Sequence, residues 1–99
     1  MKIVLCCGSG ASSGFMAQSI KKAAKEKNIC VEVMARSSSQ IENFLDGTDI
    51  VMVAPHLAAE ADSIAKKCGS IPCVVIDRTA YGMLDGGKTL NQALTEINK

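Results

Sequence analysis

Apolar and polar positions alternate in blocks along the chain, and each block has the length of one element. Residues 2–6 (KIVLC), 29–35 (ICVEVMA), 49–55 (DIVMVAP) and 71–77 (IPCVVID) are short apolar runs rich in Val and Ile. Runs of this kind predict strands buried on both faces, as in a parallel sheet. Between them the period changes to that of a helix. In 15–27, Met16, Ile20, Ala23 and Ala24 share one stripe, while Lys21, Lys22, Lys25 and Lys27 fall elsewhere and read as a solvated face. SQIENFLD (39–46) predicts a short helix with Ile41, Phe44 and Leu45 inward and Ser39 and Glu42 as a capping box. Leu57, Ala61, Ile64, Ala65 and Cys68 mark a third helix, stopped by Gly69. RTAYGMLDGG (78–87) reads as a loop, leading into a last helix with Leu90, Ala93, Leu94 and Ile97 as its stripe.

The expected fold is therefore α/β: β-α repeated four times, joined by linkers that permit only right-handed crossovers. It predicts a single domain over 1–99, an open four-stranded parallel sheet with helices on both faces. In such sheets a ligand sits beyond the carboxyl ends of the strands, where strand order reverses. The loop after the first strand is the usual place. Here it reads CGSGASSGF, a cysteine at the mouth of a loop with almost no side chains.

Composition narrows what that loop can serve. The chain has 99 residues and a net charge of +1, which gives no general reason to expect nucleic acid. With one Tyr, two Phe and no Trp, the core must come from Val, Ile, Leu, Ala and Met. No apolar run reaches the length of a membrane span, and no signal peptide is visible, so a cytoplasmic protein is expected. The five cysteines are Cys6, Cys7, Cys30, Cys68 and Cys73, an odd number with no Cys-x-x-Cys. They read as reduced thiols, with neither a disulfide frame nor a metal site, and no cofactor is expected.

Four chemistries compete for the loop. A dinucleotide fingerprint begins well with Gly8 and Gly10 but needs glycine where Ser13 stands. Arg36, not an acid, follows the second strand, which suits only a phosphorylated ribose. A nucleotide P-loop needs Gly-Lys-Ser/Thr at the helix start, and position 15 is Phe. A plain structural turn accounts for glycines, and a buried cysteine is commonly a small hydrophobe, the reading taken for Cys6, Cys30, Cys68 and Cys73. It fits Cys7 less well, since the residues that follow are too small to cover it. The fourth chemistry is a phosphate cradle with a nucleophile. Backbone N–H groups of Gly8, Ser9, Gly10, Ala11, Ser12, Ser13 and Gly14 would form the nest, helped by the positive end of the next helix and by three serine hydroxyls. A cysteine there gains thiolate character. Residues 1–25 hold four lysines and no Asp or Glu, which suits an incoming dianion.

A cysteine phosphatase carries Cys-x5-Arg, and the arginine position after Cys7 is Ser13. Without it the loop reads as a holder of a phosphoryl group and not as a hydrolase. Asp77 and Asp85 are the acids at hand for a leaving group, with nothing to choose between them.

These residues carry a resemblance over essentially the whole chain. KIVLCCGSGASSGFMA at the start, DIVMVAPHLA at the third strand and IPCVVID…YGMLDGGKTLNQAL at the end resemble the IIB component of the lactose/cellobiose (chitobiose) class of the bacterial sugar phosphotransferase system. The resemblance implies a four-stranded parallel sheet similar to low-molecular-weight tyrosine phosphatases. It implies that Cys7 takes a phosphoryl group from a phosphohistidine of a IIA protein. Cys7 then passes it to a sugar, such as cellobiose, chitobiose or lactose, moving through the membrane IIC protein. Cys6 departs from the pattern, where an aliphatic residue is expected; it should point into the core. His56, the only histidine, follows Pro55 after the third strand and reads as a solvated loop residue or as part of a docking rim. Tyr81 reads as a packing residue or as a flank of the cradle. Leu57 reads equally as core or rim, with Ala58 and Ala59 beside it. The rival from another class is a thiol phosphatase or arsenate-reductase relative, and a non-catalytic binding module is a third possibility.

Overall fold

The computed structural model describes residues 1–7, 11–37 and 39–98, with Cys7, Ala11, Ser12 and Ser13 described by backbone alone. Four strands form one sheet: β1 (Lys2–Cys7), β2 (Glu32–Ser37), β3 (Ile50–Val53) and β4 (Cys73–Val75). Every pairing is parallel and the order is β2-β1-β3-β4. The helices are α1 (Ala11–Glu26), α2 (Ala61–Cys68), α3 (Arg78–Gly82) and α4 (Gly86–Ile97). Two 3-10 segments, Ile41–Phe44 and Pro55–Glu60, complete the crossovers.

The alternation along β1 builds a core on each side of the sheet. Ile3 and Leu5 face α1 and α4, packing with Met16, Ile20, Met52, Leu90 and Ala93. Val4 and Cys6 face α2, packing with Ile41, Val51, Val53, Ile64 and Cys68. Each fully buried Val, Leu or Ile is worth about 1.5–3 kcal/mol. The expected helix-sheet-helix layering is thus the one observed.

Several boundaries differ from the pattern-based reading, each for a local reason. The second strand starts at Glu32 and not at residue 29, because the end of α1 takes Ile29. Asn28 sits at φ 59°, Ile29 N–H donates to the Ala24 carbonyl (2.8 Å) and Asn28 N–H to that of Lys25 (3.1 Å). This double closure by a left-handed residue is a Schellman motif. Cys30, expected to be a small core residue, is exposed beyond it. The capping box at Ser39 does not form. The 3-10 turn starts after Gln40 with no side-chain cap, Ser39 Oγ lies 3.1 Å from Ser37 Oγ, and Glu42 faces Lys67 at 3.8 Å. The third helix is preceded by the Pro55–Glu60 3-10 segment; Leu57 packs in the α2-side core, and Ala58 and Ala59 are exposed. The segment expected to be a loop at 78–87 contains α3, capped by Asp77, whose Oδ2 accepts from Ala80 N–H at 3.0 Å. Lys21, Lys22 and Lys25 of α1 and Lys27 just after it are exposed as expected, Lys27 Nζ donating to Asn91 Oδ1 at 2.6 Å.

Candidate functional site

Strand order reverses between β1 and β3, since the chain leaves β1 for β2 on one side and returns to β3 on the other. The end of β1 is fixed from both flanks. Cys7 lies opposite Ser37 of β2, and Ala54 N–H donates to the Cys6 carbonyl at 2.9 Å. Pro55 then turns the chain out of the sheet. Cys7 therefore ends a central strand at the switch point, and α1 starts four residues later at Ala11. The first turn of α1 carries no acidic side chain and its last turn carries Lys25, a distribution that favours an anion at its start. Gly8, Ser9 and Gly10, assigned to the cradle, lie outside the described residues, as do the side chains of Cys7, Ala11, Ser12 and Ser13. Gly14 is in the first turns of α1, exposed, with open space where a Cβ would stand.

The other thiols divide clearly. Cys6 is fully buried in the α2-side core, as expected for a side chain turned away from the loop. Cys68 and Cys73 lie in the same region and share a hydrogen bond. Burial pushes the Cys68 thiol up, the bond to Cys73 partly offsetting it. Burial, reinforced by Cys68 and Cys6, pushes Cys73 up to about 12. Such thiols stay protonated and inert at neutral pH. Iodoacetamide at pH 8 should therefore label exposed Cys30 well before Cys68 and Cys73 in a peptide map. Cys73 holds its proton more tightly in the folded chain than in the unfolded one, whose thiol titrates near 9.0. Its stabilising effect is complete below about pH 9 and is lost as pH rises towards 12. Chemical denaturation across pH 8–11 should show Cys73→Ala losing less stability with pH than the parent.

The opposite rim of the site is built by α3 and its flanks. Asp77 caps α3, and the Gln92 carboxamide of α4 holds Asp77 in turn. Gln92 Oε1 accepts from Asp77 N–H (3.0 Å) while its Nε2 donates to the Val75 carbonyl (2.7 Å). That pair of bonds is what one residue of a fifth parallel strand would make, so Gln92 also closes the outer edge of β4. The helix so placed brings Tyr81 to His56, their ring centroids 6.1 Å apart at 59°. Pro55, His56, Arg78, Tyr81 and Gly82 line a cavity of about 360 Å³. Phe15, Tyr81, Gly82 and Leu84 line a neighbouring one of about 280 Å³. A larger groove of about 530 Å³ runs between β4 and α4, and among the described residues its lining comes from neither β1 nor α1.

Pro55, His56 and Tyr81 are thus brought together, as the sequence suggested, with His56 exposed. Arg78, Phe15 and Leu84 carry no such signal in the sequence, although a capping Asp77 before RTAYG is a readable sign of the short helix that carries Arg78. Phe15, Met83 and Leu84 are exposed apolar residues at this end of the sheet, with fractional exposures of 65%, 74% and 40%. Leu84 is held at φ 52°, a conformation that branched residues rarely adopt, and its carbonyl accepts from Ser19 Oγ at 2.7 Å. Among the described residues, no three His, Cys, Asp or Glu side chains are grouped to hold a metal ion.

Known proteins share this fold. The sequence profile of the family described as "PTS system, Lactose/Cellobiose specific IIB subunit" matches residues 2–92. The chain belongs to this family. A relative of this IIB subunit, the galactose-specific EIIB component of Lactococcus lactis subsp. cremoris, is 33% identical over 97% of the chain and 95% of its own length. The solution structure of the cellobiose-specific phosphotransferase IIB component of Borrelia burgdorferi superposes with a TM-score of 0.80 at 32% identity, covering 99% of this chain and 92% of that one. The lactose-specific EIICB component of Lactococcus lactis subsp. lactis is 36% identical over 62 residues, which are 63% of this chain and 11% of that relative. As a IIB subunit of the lactose/cellobiose class, the chain is a phosphotransferase component of sugar uptake. No helix among the described residues is long and apolar enough to cross a membrane.

Proposed function

We propose that this IIB subunit is a phosphoryl relay in which Cys7 is the carrier. The observation that carries the reading is the place of Cys7: the last residue of a central strand, at the point where strand order reverses, just before α1. The Cys7 thiolate attacks the phosphorus of a phosphohistidine on a IIA protein. The S–P bond forms as the N–P bond breaks, and the imidazole leaves. In the second half a sugar hydroxyl attacks the same phosphorus and the thiolate leaves. Membrane IIC presents that sugar, so the domain works at the cytoplasmic face, as a single IIB domain.

Backbone N–H groups of residues 8–14 and the positive end of α1 would hold the phosphoryl oxygens, each helix-end interaction being worth about 0.3–1 kcal/mol, more when partly buried. Ser13 stands where a hydrolase would place an arginine, so water attacking phosphocysteine finds little stabilisation. Pro55, His56 and Tyr81, with the exposed Phe15, Met83 and Leu84, form the rim on which the donor and acceptor proteins dock. The sugar is a disaccharide of the cellobiose, chitobiose or lactose kind. Relatives of comparable identity are named for galactose, cellobiose and lactose, which agrees with selection residing mainly in IIC.

The test is to phosphorylate the protein with phosphoenolpyruvate, the general phosphotransferase proteins and a IIA partner, then remove the donors. Intact mass should show one phosphoryl group persisting, and leaving quickly only when IIC and its sugar are added. Rapid release of free phosphate by the isolated protein would establish a hydrolase of the phosphatase or arsenate-reductase kind instead.

A further inference from the structure

Among the described residues, the Tyr81 hydroxyl is the buried side-chain polar atom that has no hydrogen-bond partner. A buried hydroxyl left unpaired is costly, and a functional role is one of the reasons a native structure keeps such a group. The surroundings of Tyr81 indicate which role. Its ring packs on the edge of the core formed by β1, α1 and α4. On one side it shares a cavity with Phe15, from the first turns of α1. On the other it shares one with Pro55 and His56, which follow β3. Both neighbours adjoin the end of β1: α1 starts just after it, and Ala54 is bonded to Cys6. Tyr81 thus stands between the two segments that flank Cys7.

We propose that the Tyr81 O–H is a ligand donor held in reserve: without a partner among the described residues, it donates to an oxygen of the phosphoryl group carried on Cys7. This rests on the carrier reading above and adds one further side-chain donor to the proposed cradle. The hydroxyl matches the ligand in kind. A phosphoryl dianion offers only acceptors, and a donor that needs no release from an earlier bond meets it without loss. The capping chain from Gln92 through Asp77 to α3 fixes where Tyr81 stands.

Tyr81→Phe keeps the ring and removes only the donor. Its melting midpoint without phosphate should equal or exceed that of the parent. At equilibrium with phosphorylated IIA, the ratio of phospho-IIB to phospho-IIA should fall about tenfold, the scale of one hydrogen bond to a charged group. Tyr81 is the chain's one tyrosine and there is no tryptophan, so its emission reports directly. That emission should be quenched when the parent is phosphorylated. A lower midpoint in Tyr81→Phe, an unchanged ratio or an unchanged emission overturns the proposal while Cys7 of the parent carries the label. If the parent's Cys7 takes no label, the carrier reading itself falls, and this one with it.

Discussion

Cys7→Ser is expected to abolish phosphoryl acceptance from IIA completely, while Cys6→Ala retains it. The two thiols are adjacent in sequence and stand in opposite situations in the fold. Cys6 is on the α2 side of the sheet with no exposed surface, between Val4 and the residues of α2, and no donor protein can reach it. Its loss leaves a small cavity, a cost of about 1 kcal/mol, the scale of one buried methylene-sized group. Cys7 ends the strand just before α1, and in the carrier reading proposed above it is the nucleophile. A serine there keeps the shape and loses the nucleophile, since a hydroxyl is far less readily ionised than a thiol. Phosphopeptide mapping after incubation with phosphorylated IIA decides the matter. Label retained in Cys7→Ser and lost in Cys6→Ala would reverse the assignment.

That contrast shows what a linear sequence makes legible. Period-two alternation in β1 implies opposite faces for Cys6 and its successor, and four apolar runs separated by helical stripes imply the sheet. Parallel strands buried on both faces have little choice but to be apolar throughout, so their signal is strong. Shorter-range competition is harder to see. The boundary at residues 29–32 depends on Asn28 adopting a left-handed cap, an outcome settled by backbone closure onto Ala24 and Lys25. The Ser39–Glu42 pattern has the right spacing for a capping box, but a single 3-10 turn, and Lys67 within reach of Glu42, dispose of it differently. Helix α3 has five residues, too few for a periodic stripe, and is made by Asp77 at its start. The rim was legible only in part for the same reason. His56 and Tyr81 attract notice by type, whereas Arg78, Phe15 and Leu84 acquire meaning when β3, α1 and α3 are brought to one end of the sheet.

The second large effect is expected at Gly86, a position that touches no ligand. Gly86→Ala should lower stability by about 3 kcal/mol, the upper part of the range for overpacking a tight contact. Gly86 is the first residue of α4 and is buried against α1. A Cβ there would run into the Ser19 carbonyl carbon and oxygen and the Ile20 amide nitrogen, well inside van der Waals contact. These are backbone atoms in the middle of a helix, so no rotamer relieves the clash and the two helices must part. Separation also breaks a joint made by one hydroxyl. Ser19 Oγ donates to the Leu84 carbonyl at 2.7 Å and accepts from Gly86 N–H at 3.0 Å. That joint holds the turn between α3 and α4, where Leu84 sits in its left-handed conformation, and so the rim beside Tyr81. Each kcal/mol moves the midpoint of a domain of this size by about 4–8 °C, which puts Gly86→Ala on the order of 12 °C or more below the parent. Gly14→Ala is the control: a helical glycine with open space around its Cβ position, expected to gain up to about 1 kcal/mol from helix propensity. Thermal melts of the two variants beside the parent decide the point. A Gly86→Ala protein that melts with the parent would mean that α1 and α4 can move apart freely. Tyr81 and Leu84 would then owe their positions to something other than the Ser19 joint.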